Sequence, residues 1–277
     1  MMKVYPEAYS NELKRLLPDS DAPLPGPDNE YYTLRTKEGR LLAAGVVWKS
    51  RLHPRRFRFY IGVEELYRRR GYGTMIFERM RADHPDEKWQ GSVDLDNDVA
   101  EWWLRGLGFE FSHRCYWMDS MCADLEDTEQ YNLPLIPYRH MNQELRDRMV
   151  SMIWTDYVRK HEKFDPIRED MDAETFRLIA LHEIDPDVTC CLMDENGIAA
   201  YAVGASMDDW TASVQFVGSR LTDPEMFRRF LVEFANRAFE LKGGLMMDAD
   251  SFDEDAVRLM HLFGELPEDS YDTYILE

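Results

Sequence analysis

The sequence predicts a mixed α/β fold, and three observations carry that prediction. Between residues 31 and 118, three strand-like runs are followed by a helix, a strand, a second helix and a strand. Between residues 188 and 264 the same order begins again. In each half one helix places apolar residues at i, i+3, i+4 and i+7 and meets a glycine eight residues after its alanine, Ala100 to Gly108 and Ala256 to Gly264. Strands interleaved with amphipathic helices make a sheet covered by helices, not a bundle or a sandwich.

The first elements are Tyr31 to Thr36, Arg40 to Arg51 and Arg55 to Val63. Lys37-Glu38-Gly39 supplies a hairpin turn between the first two, and His53-Pro54 breaks the chain before the third. Gly71 to about Ala82 reads as a helix with Ile76, Phe77 and Met80 on one face, and Lys88 to Asp94 as a strand. Asp96 or Asn97 is placed to cap the next helix, whose apolar stripe is Ala100, Trp103, Leu104 and Leu107. Phe109 to Met118 returns as a strand. In the second half the strands are Val188 to Met193, Ile198 to Ala205 and Ala212 to Gly218. Asp223-Pro224 opens a helix as cap and first-turn proline, Gly243-Gly244 stops it, and Leu245 to Asp248 is a strand. An offset of 156 residues superposes the Ala100 and Ala256 helices, so duplication accounts for the matched order. The polar stretch Ala123 to Gln130 marks the join, giving domains 1–124 and 125–277. Two helices, about Gln143 to Lys160 and Ala173 to His182, belong to the second half only.

Charge separates the halves. The chain of 277 residues has 33 Lys and Arg against 53 Asp and Glu, a net charge of −20, which excludes a protein that binds nucleic acid through a basic surface. Residues 1–120 carry 19 basic and 19 acidic side chains, leaving 14 basic and 34 acidic for residues 121–277. The amino-terminal residues have no apolar leader segment, and no run is long enough to span a membrane, so a cytoplasmic protein is expected. Cys115, Cys122, Cys190 and Cys191 form no CxxC pair and read as small buried side chains. The seven histidines show no metal-ligand spacing, and no metal site is expected.

The chemically informative segment runs from Tyr60 to Thr74. A strand leads into a short loop with three arginines and two glycines, and the loop opens straight into a helix. Glycines permit close backbone approach, amides at a helix start converge on an anion, and the helix dipole adds favourable potential. This device suits a phosphate or pyrophosphate. It is not the dinucleotide fingerprint, because Ile76 stands at the third glycine, nor a Walker loop, because GK[ST] is absent.

Arg68-Arg69-Arg70-Gly71-Tyr72-Gly73, with Asn97, Ala100, Gly108 and Phe109 at the spacing N-x-x-A then G-F, resembles the GNAT superfamily of acyl-CoA-dependent N-acyltransferases. The resemblance covers about residues 30–118 and extends to the second half only as fold, where Thr222, Glu225 and Phe227 replace Arg68, Gly71 and Gly73. It implies two GNAT-like domains in tandem, with the coenzyme loop kept in the first alone. It also implies acetyl-CoA as co-substrate and direct attack of a primary amine on the thioester. Backbone groups of Ile61 and Val63 would pair with the pantetheine arm, the loop Arg68, Arg69, Arg70, Gly71, Tyr72, Gly73 and Thr74 would hold the pyrophosphate, and Asn97 and Arg105 would touch the coenzyme further along. Arg105 reads equally well as a helix-surface cation.

Two positions depart from the family pattern. Leu104 stands where the thiolate-protonating tyrosine is usual, and Phe57, Arg58 and Phe59 stand where several relatives place a carboxylate base. Asp94 is the candidate base, with Glu64 and Glu65 as substitutes, and Tyr116 the candidate acid, with Tyr60 and Tyr72 beside it. Asp94 also reads as a helix-cap residue, and the tyrosines as packing groups. A non-catalytic acyl-CoA-binding or sensor protein is the alternative in a different class. The acidic half suits a cationic small-molecule or peptide amine, a solubilising surface, or a docking and homodimer face.

Overall fold

A computed structural model describes residues 3–17, 28–121, 124–125, 129–268 and 270–277. Part of the expected join, at 122–123 and 126–128, and with it Cys122, lies outside the described residues. The mixed α/β character is as expected. The chain forms two compact units that do not follow one another simply in sequence. The first comprises Met1–Val93, Val99–Ser112 and Thr273–Glu277; the second comprises Asp94–Asp98 and His113–Asp272.

In the first unit, β1 (Val4–Glu7), β2 (Glu30–Arg35), β3 (Leu41–Lys49) and β4 (Arg56–Val63) lie in that order as antiparallel neighbours. β5 (Lys88–Asp94) runs parallel to β4. Beyond it come the last residues of β12 (Ser270–Leu276) and then the first of β6 (Glu110–Met121). β3 is buried from Leu41 to Trp48, so both faces of the sheet are covered. One face packs under α1 (Tyr72–Asp83) and α2 (Asp98–Gly106). There Ile76, Phe77, Met80 and Leu104 meet Ala43, Val47, Trp89, Phe109 and Tyr274. The other face carries Leu13 and Leu17 of the amino-terminal segment against Tyr31, Leu41, Ala44, Val46 and Trp48.

In the second unit the order is β6, β11 (Gly244–Asp250), β10 (Thr211–Ser219), β9 (Gly197–Ser206), β8 (Cys190–Asp194) and the two-residue β7 (Ile136–Pro137). Only the β10–β11 pair is parallel among these neighbours. α5 (Pro224–Lys242) and α6 (Glu254–Met260) build one side of the core, with Phe227, Phe230, Leu231, Phe234, Leu259 and Met260 buried. α3 (Gln143–His161) packs on β9 and β10 and on α4 (Ala173–Ala180). Tyr157, Phe176 and Phe216 join these layers as an aromatic group.

Sequence periodicity located the longer strands and helices of both halves to within a few residues but gave no sign of β1, β7 or β12. The Ala256 helix ends at Met260 and continues as one 3-10 turn, His261–Phe263, before Gly264. Cys115, Cys190 and Cys191 are buried free thiols, and burial pushes their pKa values up to about 12, 12 and 11, so they are inert at neutral pH. Among the described residues no helix is long and apolar enough to cross a membrane, and no group of three metal-ligating side chains could hold an ion.

Candidate functional site

The parallel pair β4–β5 is joined for only part of its length. Pairing runs from Arg56↔Lys88 to Arg58↔Gln90 and stops there, although β4 continues to Val63 and β5 to Asp94. On its other edge β4 stays paired with β3 as far as Ala43↔Val63. The two parallel strands therefore part after Arg58. The backbone of Phe59 to Val63 on that edge lies beyond the β4–β5 ladder, and such a strand edge can take another hydrogen-bonding partner. Phe59, Ile61 and Val63 are only partly buried and pack toward Phe77 and Trp103.

From Val63 the chain makes one 3-10 turn, Glu65–Tyr67, and enters the arginine loop. The Arg68 Nε donates to the Val63 carbonyl at 3.1 Å, which holds the loop against the strand end. Arg69 (φ 62°) and Gly71 (φ 80°) both adopt the left-handed conformation, and residues in that conformation turn successive amides toward one side. Gly71 is the N-cap of α1 and offers no side chain to cap it. The Met75 N–H reaches the Gly71 carbonyl at 3.0 Å, while the amides of Tyr72, Gly73 and Thr74 precede the first intrahelical bond. Those amides and the helix dipole favour an anion at this point. A Cβ on Gly73 would lie 3.7 Å from Val63, 3.8 Å from Ile61 and 4.0 Å from Trp103, so this glycine keeps the backbone open at the mouth between strand and helix. The Trp103 indole N–H donates to the Thr74 hydroxyl at 3.0 Å and ties α2 to the start of α1.

The structure thus gathers Ile61, Val63 and Arg68 through Thr74 around one strand end and one helix start. The Arg105 guanidinium donates to Glu101 at 2.8 Å and to the Tyr274 hydroxyl at 3.3 Å. Asp94 and Asn97 belong to the second unit, and Asp94 is exposed at the end of β5, its carbonyl accepting from the Asn97 N–H at 3.0 Å. Tyr116 also lies in the second unit, half-buried against its apolar core. Leu104 is 2% exposed and packs in the first unit's core. Glu64 is paired with Arg15 at 2.7 Å, and the Tyr72 ring stacks on Tyr67.

Three residues of this region were missed in the sequence. A Cβ on Gly62 would sit 1.8 Å from the Leu16 carbonyl oxygen, so the amino-terminal segment crosses β4 only because residue 62 is glycine. Tyr67 is flanked by the guanidinium groups of Arg40 and Arg70, 5.2 and 5.3 Å from its ring centre. The Arg40–Tyr67 contact joins separate elements, which periodicity does not reveal.

The second unit repeats the parting of parallel strands but closes it. β10 and β11 pair from Thr211↔Gly244 to Val214↔Met247 and no further. The Lys160 Nζ, 9% exposed, donates to the Val217 carbonyl at 3.2 Å and pairs with Asp253 (2.6 Å) and Asp255 (3.3 Å). At the start of α5 the Asp223 carboxylate caps the Glu225 amide at 3.0 Å, and Phe227 is buried. A negative side chain already occupies the place where α1 presents bare amides.

No family model and no curated protein matches the sequence. Solved structures do match the fold. A GCN5-related N-acetyltransferase from Sphaerobacter thermophilus superposes with a TM-score of 0.68 at 14% identity, covering 98% of this chain and 86% of that one. A tandem GNAT protein from the clavulanic acid biosynthesis pathway gives 0.57 at 14% identity over 100% and 98%. A probable N-acyltransferase from Enterococcus faecalis V583 gives 0.53 at 9% identity over 99% and 72%. With the arginine loop, the parted parallel strands and these superpositions together, the chain has the fold of the GCN5-related N-acetyltransferase superfamily.

Proposed function

We propose that the protein is an acetyl-CoA-dependent N-acetyltransferase acting on a primary amine, with the coenzyme held by the first unit. The observation that carries this reading is the strand edge of Phe59–Val63, which runs on past the last β4–β5 ladder pair at Arg58↔Gln90 and leads directly into the Arg68–Thr74 loop. An extended pantetheine arm carries two amides that can hydrogen-bond to such an edge, and a pyrophosphate suits the amides and dipole at the start of α1. Ile61 and Val63 are the proposed strand contacts, Arg68 through Thr74 the pyrophosphate site, and Asn97 a further coenzyme contact. Arg105, held by Glu101 and Tyr274, is available to the coenzyme only if it leaves those partners.

In the proposed reaction the neutral amine attacks the thioester carbonyl, the tetrahedral intermediate collapses, and the coenzyme leaves as a thiolate that takes a proton. Asp94 is the proposed base and Tyr116 the proposed acid, both on the sequence reading. Asp94→Asn is expected to lower kcat with little change in the KM for acetyl-CoA. Tyr116→Phe tests the acid in the same way.

A second reading, a non-catalytic acyl-CoA sensor, is favoured by Leu104, an apolar side chain where a proton donor is usual. Calorimetric titration with acetyl-CoA, followed by free-thiol release across a panel of amines, separates the two. The transferase releases thiol with at least one amine and the sensor binds without turnover. If Gly71→Glu leaves coenzyme binding intact, both readings fail. A cationic acceptor, drawn by the acidic second half, and a homodimer are further parts of the proposal. They are tested by the salt dependence of acceptor KM and by sedimentation.

A further inference from the structure

Four exposed arginines close together around the exit of β4, Arg40, Arg68, Arg69 and Arg70, have no carboxylate partner among the described residues. Elsewhere in this unit Arg15, Arg35, Arg55, Arg56, Arg79 and Arg105 each pair with an acidic side chain, while the exposed Arg51 and Arg81 do not. What sets the four apart is their grouping at one point of a chain with 53 acidic residues against 33 basic ones. Arg68 to Arg70 lie in the proposed pyrophosphate loop, where Arg70 alone turns to the Tyr67 ring. Arg40 does not, because it comes from the hairpin between β2 and β3.

The hairpin fixes Arg40 in place. The Thr36 N–H donates to the Arg40 carbonyl at 2.9 Å, and the Arg40 N–H reaches the Thr36 hydroxyl at 3.3 Å. From there its guanidinium reaches Tyr67, the ring that Arg70 also contacts. Both guanidinium carbons lie within 5.3 Å of one ring centre. Two like charges held about one ring repel each other, and a bound anion turns that repulsion into attraction. Glu64 is paired with Arg15, Glu38 is held by Thr36 and a hairpin amide, and Glu65 in the turn before Tyr67 makes no ion pair with these arginines.

We propose that Arg40, Tyr67 and Arg70 form a subsite for a phosphate monoester beside the pyrophosphate loop, and that it reads the 3′-phosphate of the coenzyme's adenosine. The proposal rests on the coenzyme reading above and adds a specificity to it. A phosphate monoester carries close to two negative charges at neutral pH, and the planar guanidinium fork of arginine matches its oxygens two at a time. Tyr67 acts as a positioning residue that holds both arginines by their contact with its ring.

The test compares acetyl-CoA with 3′-dephospho-acetyl-CoA, each titrated calorimetrically into the wild-type protein and three variants. The wild type is expected to prefer acetyl-CoA by about tenfold or more. Arg40→Ala is expected to weaken acetyl-CoA about tenfold and the dephospho form less than about twofold. Tyr67→Phe keeps the discrimination because it keeps the ring, and Tyr67→Leu reduces it. A wild type indifferent to the 3′-phosphate, or an Arg40→Ala that weakens both ligands equally, overturns the subsite. Binding of inorganic phosphate that depends on Arg40, without discrimination between the two coenzyme forms, marks a general anion patch and also overturns it. The coenzyme reading is judged separately: it fails if dephospho-acetyl-CoA binding survives Gly71→Glu, whatever Arg40→Ala does.

Discussion

Gly71 and Gly62 sit at the two ends of the same strand exit and are required for opposite reasons. Gly71 is left-handed at φ 80°, and nothing lies within 4 Å of where its Cβ would be. Any other residue there meets backbone strain but no clash, about 1 kcal/mol. Gly71→Ala should therefore lower the unfolding free energy by about that amount and keep coenzyme binding, whereas Gly71→Glu should fold as well and bind none. Denaturant titration beside calorimetry separates the two effects. At Gly62 the conformation is ordinary, but a Cβ would overlap the Leu16 carbonyl. Gly62→Ala should cost at least about 3 kcal/mol, because the obstacle is backbone and cannot rotate away. An unfolding midpoint close to wild type would show that the 10–17 segment does not need to cross β4 there. Gly71 was legible in the sequence because its neighbours form a local motif. Gly62 was not, because the atom that excludes a side chain lies 46 positions earlier in the chain.

Helices α1 and α5 occupy the same place in the repeated order, and their first residues account for the difference between the halves. α1 begins at an uncapped glycine with arginines before it; α5 begins at a capping aspartate with Glu225 behind it. The loss of the arginine–glycine pattern was readable from Thr222, Glu225 and Phe227. The closing of the second strand gap was not, because Lys160 lies on α3 and meets β10 and α6 only in the folded unit. Burial raises the Asp255 carboxyl above its usual range, and Lys160 opposes that rise. Lys160→Met removes the opposing charge and leaves Asp253 and Asp255 unbalanced, a loss of about 3 kcal/mol at neutral pH. A carboxyl whose folded pKa is raised favours the folded state below its unfolded pKa, about 4, and loses that contribution as pH rises through the folded value. The deficit of the variant should therefore be largest near pH 7 and shrink as pH falls toward 4. A deficit that is constant from pH 7 to 4 would mean that Lys160 acts by packing alone.

At the scale of the whole molecule, the duplicated halves of the sequence and the compact units of the structure are not the same division. The sequence places the repeat boundary at 124/125, whereas the first unit takes its last strand residues from Thr273–Glu277. The matching position in the first half is β6, yet nothing in the sequence reading placed a strand after Gly264, and β12 went undetected. Its place beside β5 was hidden, since non-local pairing leaves no local pattern. Those five residues are well anchored. Tyr274 is 1% exposed in the first core and donates to Glu101 at 2.9 Å. Glu277 is bound by Arg56 and Lys88; burial alone would raise its carboxyl, but their hydrogen bonds hold it down to about 2. A fragment of residues 1–124 should therefore not fold on its own, because removing Tyr274 and Leu276 opens the core around Trp89, Leu104 and Phe109. Deleting only 273–277 from the full chain should disrupt the same core while leaving the second unit's aromatic group near Tyr157 ordered. Amide exchange read by mass spectrometry distinguishes the cases. Loss of protection in α1, β4 and β5, with α3 and α5 unchanged, is the expected result. Wild-type protection throughout the first unit, or a folded 1–124 fragment, would mean that each half of the sequence closes its own sheet.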